Sequence, residues 1–188
     1  MQRYITFLGG ISVGTTPREM ENLRGLFTRL GFSNIETYLQ SGNVVFSCAP
    51  VGLIAPLEAQ ITRFLKKSLG EDVQAFLRTP DQVEEIADYN PFPGEDTAGS
   101  LFVVLTHEPV SDRVQRNLRY ARSSADEFRA NGREIYWLRR KSDRPGSSAT
   151  PSIAEVLGMP ATVRTINTFK RLAAQYAGSS TGFARSHR

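Results

Sequence analysis

Hydrophobic side chains in the first 78 residues switch between two periods in an order that few folds accommodate. Apolar residues at every second position indicate strands, whereas apolar residues three and four positions apart indicate amphipathic helices. Strand-like runs occupy residues 4–8, 35–39, 44–48 and 73–78, and a helix-like run follows the first and the third of them. The sequence therefore predicts the order strand, helix, strand, strand, helix, strand.

The second half predicts the same order from weaker signals. Its strands are expected at residues 101–105, 125–130, 133–139 and 161–164, and its helices near Ser111, from Pro151 and from Ile166. Because no residue-level repeat links the halves, this assignment rests on element order alone.

These patterns predict an α+β protein made of two ferredoxin-like (βαββαβ) halves. They leave open whether the two halves share or extend one antiparallel sheet. The Pro- and Gly-rich segment 90–94 is the best linker signal in the chain. The expected division is a first half (1–78), a connecting helix and linker (79–98), a second half (99–177) and a disordered tail (178–188).

Cap and turn signals locate several element ends. Thr16 and Thr79 are expected N-caps, each followed by a proline, and Gln82 would complete a capping box with Thr79. Asn131-Gly132 is a strong signal for a two-residue hairpin turn. A turn centred there would place Arg129 opposite Glu134.

Composition excludes several classes of protein. The chain has 188 residues, of which 40% are hydrophobic and 22% charged, which excludes a disordered chain. It has no heptad run for a coiled coil and no apolar run long enough for a membrane span. A single cysteine, Cys48, rules out an internal disulfide. Because residues 1–8 alternate like a strand and lack the apolar stretch of a signal peptide, the expected location is the cytoplasm.

Metal and cofactor chemistry is not indicated. With two histidines and one cysteine, the chain has no cluster at metal-ligand spacing, so no metal site is expected. Neither the Walker phosphate loop nor the dinucleotide fingerprint occurs, so no cofactor is expected. Adjacent carboxylates such as Glu84-Glu85 lack a neighbouring nucleophile, which leaves catalysis an open question.

Several segments resemble the domain-of-unknown-function 1697 family. The opening segment 4–14 is similar to the family's first strand and its Arg-Gly-Ile-Asn-Val-Gly-Gly loop, and segment 38–46 is similar to its second signature. Segment 161–168 is similar to the closing motif, and the resemblance spans residues 1–177. It implies two ferredoxin-like halves and no defined activity. Gly9 stands where the family usually has Arg, so any family site would lack that cation.

The loop after the first strand is one candidate anion site. Gly10, Ser12 and Gly14 lie between a strand and a helix start, where backbone N–H groups and the helix dipole favour anions. Equally, the glycines can serve a tight connection, with Thr16 capping the helix.

Two further segments supply candidate ligand-binding residues. Ser41, Gly42 and Asn43 form the first hairpin turn, for which Gly and Asn are also suited by their tolerance of positive φ. Arg164, Asn167 and Thr168 stand at the start of the last helix, where the two uncharged residues can equally act as caps.

Charge is distributed unevenly along the chain. The net charge is +4, but residues 1–94 hold 8 basic and 10 acidic side chains, and residues 95–188 hold 15 and 9. The basic residues of the second half could contact phosphate backbones without reading sequence, or form an ordinary solvated face. The residues of this expected basic surface are Arg113, Arg116, Arg119, Arg122, Arg139, Arg140 and Lys141.

The leading hypothesis is a small binding or interaction protein whose ligand is anionic: a phosphate-containing small molecule or, without sequence specificity, a nucleic-acid backbone. One alternative is an enzyme acting on a phosphorylated or carboxylated small molecule, which requires Gly14, Asn43 and Arg164 to converge. Another is an oligomerisation module that pairs with a second copy of the chain through a sheet face or edge. No membrane partner is expected.

Overall fold

The computed structural model describes residues 1–10, 17–38, 42–95, 97, 100–140 and 153–176. The chain forms two compact units. The first holds Met1–Ala87 together with the described residues from Lys170 on, and the second holds Asp88–Phe169. The loop 141–150 and the segment 178–188, for which a tail was expected, lie outside the described residues.

The first unit has the predicted βαββαβ order. Its four strands form one antiparallel sheet in the order β2-β3-β1-β4, which is the ferredoxin-like arrangement. A third helix follows the last strand. The elements are β1 (Gln2–Gly9), α1 (Pro17–Arg29), β2 (Ser33–Tyr38), β3 (Asn43–Cys48), α2 (Ile54–Leu69), β4 (Gln74–Arg78) and α3 (Pro80–Asp88).

The second unit has the same strand order, with β6-β7-β5-β8 as its sheet. The predicted α+β fold of two ferredoxin-like halves is confirmed. The question of a shared sheet, which the sequence left open, is answered by the described strands, which pair into two sheets of four. The elements are β5 (Leu101–Leu105), α4 (Asp112–Ala121), β6 (Asp126–Asn131), β7 (Glu134–Arg139), α5 (Ile153–Leu157), β8 (Thr162–Thr165) and α6 (Ile166–Tyr176), whose residues from Lys170 on belong to the first unit.

Each unit has its own apolar core. In the first, Tyr4 of β1 packs with Phe27 of α1 and Ile61 of α2, and each is at most 1% exposed. In the second, Leu118 of α4 packs with Phe128 of β6. Because Tyr4 is buried in the first of these cores, its ring is not available for base stacking.

The capping box at α3 is confirmed. The Thr79 backbone N–H donates to Gln82 Oε1 at 3.0 Å, and the Gln82 N–H donates to Thr79 Oγ1 at 3.3 Å. Ser111 caps α4 by accepting from the Val114 N–H at 3.4 Å. Thr16 lies outside the described residues.

The register expected for the second hairpin is wrong. Arg129 lies opposite Tyr136, not Glu134, because the two turn residues are Gly132 and Arg133. Gly132 has a φ of +60°, whereas Asn131 has no positive φ and ends strand β6. A glycine at the first central turn position matches a type II′ turn. The shift moves each partner by two residues, so every side chain stays on its expected face.

No helix in the described part of the chain is long and apolar enough to cross a membrane.

Candidate functional site

Gly10 has a structural reason to be glycine. Its φ is +71°, and a Cβ at this position would collide with the carbonyl oxygen of Asp72, next to the start of β4. The close approach of the two backbones therefore requires Gly10 whether or not the loop binds an anion. Ser12 and Gly14 lie outside the described residues.

The first hairpin turn is tied to the sheet. The Gly42 carbonyl accepts a hydrogen bond from the Leu8 N–H at 2.9 Å, and Asn43 is fully buried opposite Phe7. Asn43 therefore begins β3 inside the first unit. Ser41 lies outside the described residues.

Arg164 lies in the second unit and is partly buried on β8. Its Nη1 donates to Thr162 Oγ1 and to the Val163 carbonyl, both at 2.8 Å. Burial lowers the pKa of Arg164 to about 10, so the guanidinium stays charged at neutral pH. Since Gly10, Gly42 and Asn43 belong to the other unit, the convergence that the enzyme hypothesis needs stays a prediction.

Two of the candidate residues, Asn167 and Thr168, lie at the start of α6. Thr168 is buried, and its Oγ1 lies 3.3 Å from Oγ1 of Thr165, the residue before the helix. Asn167 is exposed. Both candidate residues thus lie in the first turn of α6, Asn167 exposed and Thr168 buried.

The basic surface is best defined along α4. Val114 and Leu118 are buried, whereas Arg113, Arg116 and Arg119 are exposed. Within the described part of the chain, none of these three arginines makes an ion pair or a hydrogen bond. Their charges are therefore open to a partner.

The other predicted basic residues are spread over neighbouring elements. Arg122 follows the last residue of α4, and Arg139 ends β7 with its guanidinium 5.4 Å from the Trp137 ring. Arg140 comes next and is ion-paired to Glu95 at 2.8 Å. Lys141 lies outside the described residues.

A groove of about 300 Å³ separates α4 from β6. We call it the α4–β6 groove. The buried residues Leu118 and Phe128 and three arginines are among the residues that line it. Its lining residues are Gln115, Leu118, Arg119, Arg122, Phe128, Arg129 and Ala130.

One carboxylate, that of Glu127, organises the arginines beside this groove. Its Oε1 pairs with Arg122 Nη2 at 2.9 Å and with Arg129 Nη2 at 2.6 Å, and its Oε2 pairs with Arg140 Nη2 at 3.0 Å. The hydrogen bond from Arg140, with the nearby charges of Arg129 and Arg122, lowers the pKa of Glu127. The carboxylate is therefore ionised at neutral pH and fixes two of the three groove arginines.

Arg129 is held by a second contact, since its guanidinium lies 5.5 Å from the centre of the Phe92 ring. Stacking on an aromatic face restrains a guanidinium while leaving its N–H groups available. Arg119 is the groove cation without such a restraint among the described residues.

Sequence reasoning identified Arg119 and Arg122 but missed the rest of the groove. Gln115, Leu118, Arg119 and Arg122 follow the i, i+3, i+4, i+7 spacing, which was a readable signal that they share one flank of α4. Phe128, Arg129 and Ala130 carried no such signal, because their approach to α4 depends on tertiary packing.

The comparisons with known proteins agree with this fold. A family model described as "Protein of unknown function (DUF1697)" matches residues 1–136, which include α4 and β6. A solved structure, that of the conserved bacterial protein SP0830 from Streptococcus pneumoniae, is 22% identical, with a TM-score of 0.65. The similarity covers 93% of this chain and 98% of that one, and it shows the fold alone. The search of curated proteins found no match.

Proposed function

The chain belongs to the family described as "Protein of unknown function (DUF1697)", and we propose that it binds phosphate-bearing anions in the α4–β6 groove. The observation that carries this proposal is the presence of three arginines, Arg119, Arg122 and Arg129, among the residues that line one cavity. Guanidinium groups bind phosphate oxygens through parallel N–H donors, which adds geometric specificity to charge.

The charge balance of the groove supports an anionic ligand. Glu127 supplies one negative charge against the three groove arginines, and it also pairs with Arg140 outside the groove lining. Arg119 is left without a counterion among the described residues. A phosphate that contacts Arg119 would thus gain a charge-assisted bond without breaking an existing ion pair.

The size and lining of the groove favour a small ligand. Its volume of about 300 Å³ is at the lower end of the range for ligand pockets. The apolar side chains of Leu118 and Phe128 suit a ligand that carries an apolar or aromatic group beside its phosphate.

The groove is preferred to the loop after β1 as the main site. Gly10, the described candidate residue of that loop, is explained by its approach to Asp72. The arginines of the groove have no comparable role in the core, since all three are exposed. The single cysteine, which is free and buried, favours a cytoplasmic site of action.

Calorimetric titration with sodium pyrophosphate at low salt tests this function. We expect Arg119→Ala to weaken binding by about tenfold, the effect of losing roughly one charge-assisted hydrogen bond. The matched control is Arg29→Ala, which removes one exposed arginine from α1 and the same net charge. Equal weakening by both variants, or no binding by the unaltered protein, would contradict the proposal.

A further inference from the structure

The side of α4 that faces away from the core carries an exposed aromatic ring between cations. Tyr120 is 87% exposed, more than any other large hydrophobic residue of the described chain. At 100° per residue, Tyr120 lies about 40° from Arg116 and about 20° from Arg113 around the helix axis. We call these three residues the α4 outer face.

This face is positively charged and unpartnered. Arg113 and Arg116 make no ion pair within the part of the chain that the structure describes, and Asp112 is the one acidic residue of α4. Among the described residues, no ring lies close enough to Tyr120 to stack on it. Both surfaces of the Tyr120 ring are therefore available to a partner.

From this arrangement we infer that the α4 outer face binds single-stranded nucleic acid, with a base stacked on Tyr120 and phosphates bound by Arg113 and Arg116. The combination of an exposed ring with flanking cations suits a single strand, because every base has a π-face and every linkage carries a negative charge. This inference extends the proposed function. It rests on that function in one respect, because beyond Tyr120 the strand would continue into the α4–β6 groove.

Arg119 connects the outer face to the α4–β6 groove. It lies about 60° from Arg116 around the helix and also lines the groove. Along the axis, Arg113 and Arg119 are about 9 Å apart at 1.5 Å per residue. That distance matches two or three nucleotide steps at about 3.4 Å each, so one strand could contact both surfaces.

The chemistry favours a single strand over a duplex, because bases in a duplex are already stacked and cannot lie on Tyr120. It also disfavours the sheet of the first unit as the binding surface. There, the rings of Tyr4 and Phe46 are at most 1% exposed and pack against each other.

The test is fluorescence anisotropy of labelled ten-nucleotide dT and rU oligomers with the full chain at 50 and 200 mM salt. We expect Tyr120→Ala to weaken binding by about tenfold, and Tyr120→Phe to bind like the unaltered protein, because the ring is retained. Arg113→Ala combined with Arg116→Ala should weaken binding and reduce the slope of log K against log salt by about 1.4.

Controls separate stacking and phosphate contacts from general charge. Arg29→Ala combined with Arg63→Ala removes two exposed arginines of the first unit and should leave affinity within about twofold of the unaltered protein. A duplex of equal length and vesicles containing phosphatidylserine serve as alternative partners. Tighter binding to either, or unchanged binding by Tyr120→Ala, would overturn the inference.

The pyrophosphate titration distinguishes the two proposals. If pyrophosphate binds in an Arg119-dependent manner but no oligomer binds, the inference fails and the groove function stands. If oligomers bind through Tyr120 but pyrophosphate binding is absent, the groove function fails and the role of the outer face stands.

Discussion

Two glycines of the first unit show how differently one residue type can act. Gly10 has a φ of +71°, and its Cα faces the Asp72 carbonyl too closely for a Cβ. Gly25 lies inside α1, where a Cβ would meet nothing within 4 Å. The first glycine is required by backbone packing, whereas the second only weakens the helix.

Alanine substitutions at these glycines should have opposite effects on stability. We expect Gly10→Ala to lower the free energy of unfolding by about 2 kcal/mol, because alanine is strained at positive φ and its Cβ would displace the Asp72 backbone. Gly25→Ala should raise it by about 0.5–1 kcal/mol. Urea denaturation followed by circular dichroism measures both. A Gly10→Ala protein as stable as the unaltered one would disprove the close approach.

Single residues of the candidate site were predictable only where a local pattern marked them. Arg119 and Arg122 stood out because α4 repeats arginine every three positions. Glu127 did not stand out, since its role depends on arginines that come from the end of α4, from β6 and from the residue after β7. A carboxylate that binds three guanidinium groups is recognisable only once those elements are packed.

At the scale of elements, local signals predicted the existence and order of helices and strands well. The reciprocal hydrogen bonds of Thr79 and Gln82 confirm a cap inferred from residue spacing. The hairpin register was predicted wrongly, because Asn131-Gly132 suits one turn type and Gly132-Arg133 suits another. Cross-strand packing distinguishes them: the observed register places Phe128 opposite Trp137, and their rings stack with centroids 5.8 Å apart.

The turn assignment can be tested with two substitutions in the hairpin. We expect Gly132→Ala to lower the free energy of unfolding by about 1–2 kcal/mol, because the turn needs a positive φ there. Asn131→Ala should change it by less than about 0.5 kcal/mol, since Asn131 is exposed and ends a strand. Trp137, the single tryptophan, lies in this hairpin and reports its unfolding by fluorescence. A larger effect from Asn131→Ala would restore the turn centred on Asn131-Gly132.

At the scale of the whole molecule, the two halves of the sequence differ more in net charge than in fold. Both units have the same strand order, yet residues 95–188 carry six more basic than acidic side chains. Three of these basic residues are the arginines of α4, which lack counterions among the described residues. A total charge of +4 therefore conceals a concentrated positive surface.

Cation-exchange chromatography should detect this concentration. We expect Arg113→Ala combined with Arg116→Ala to elute at lower salt than Arg29→Ala combined with Arg63→Ala, although both proteins have the same net charge. The reason is that retention depends on the most positive surface of a protein as well as on its total charge. Equal elution of the two double variants would show that α4 does not dominate the electrostatic field.

The sequence by itself determined the α+β class, the two ferredoxin-like halves, the cap of α3 and the start of α4 near Ser111, because each is encoded within a few neighbouring residues. Only the tertiary structure decided that the strands form two sheets, that Gly10 meets Asp72, and that α4 and β6 enclose the arginine-lined groove. Those features depend on distances between elements far apart in the chain, and such distances are set by side-chain packing. The hydrophobic periodicity that identifies each helix or strand separately does not encode these distances.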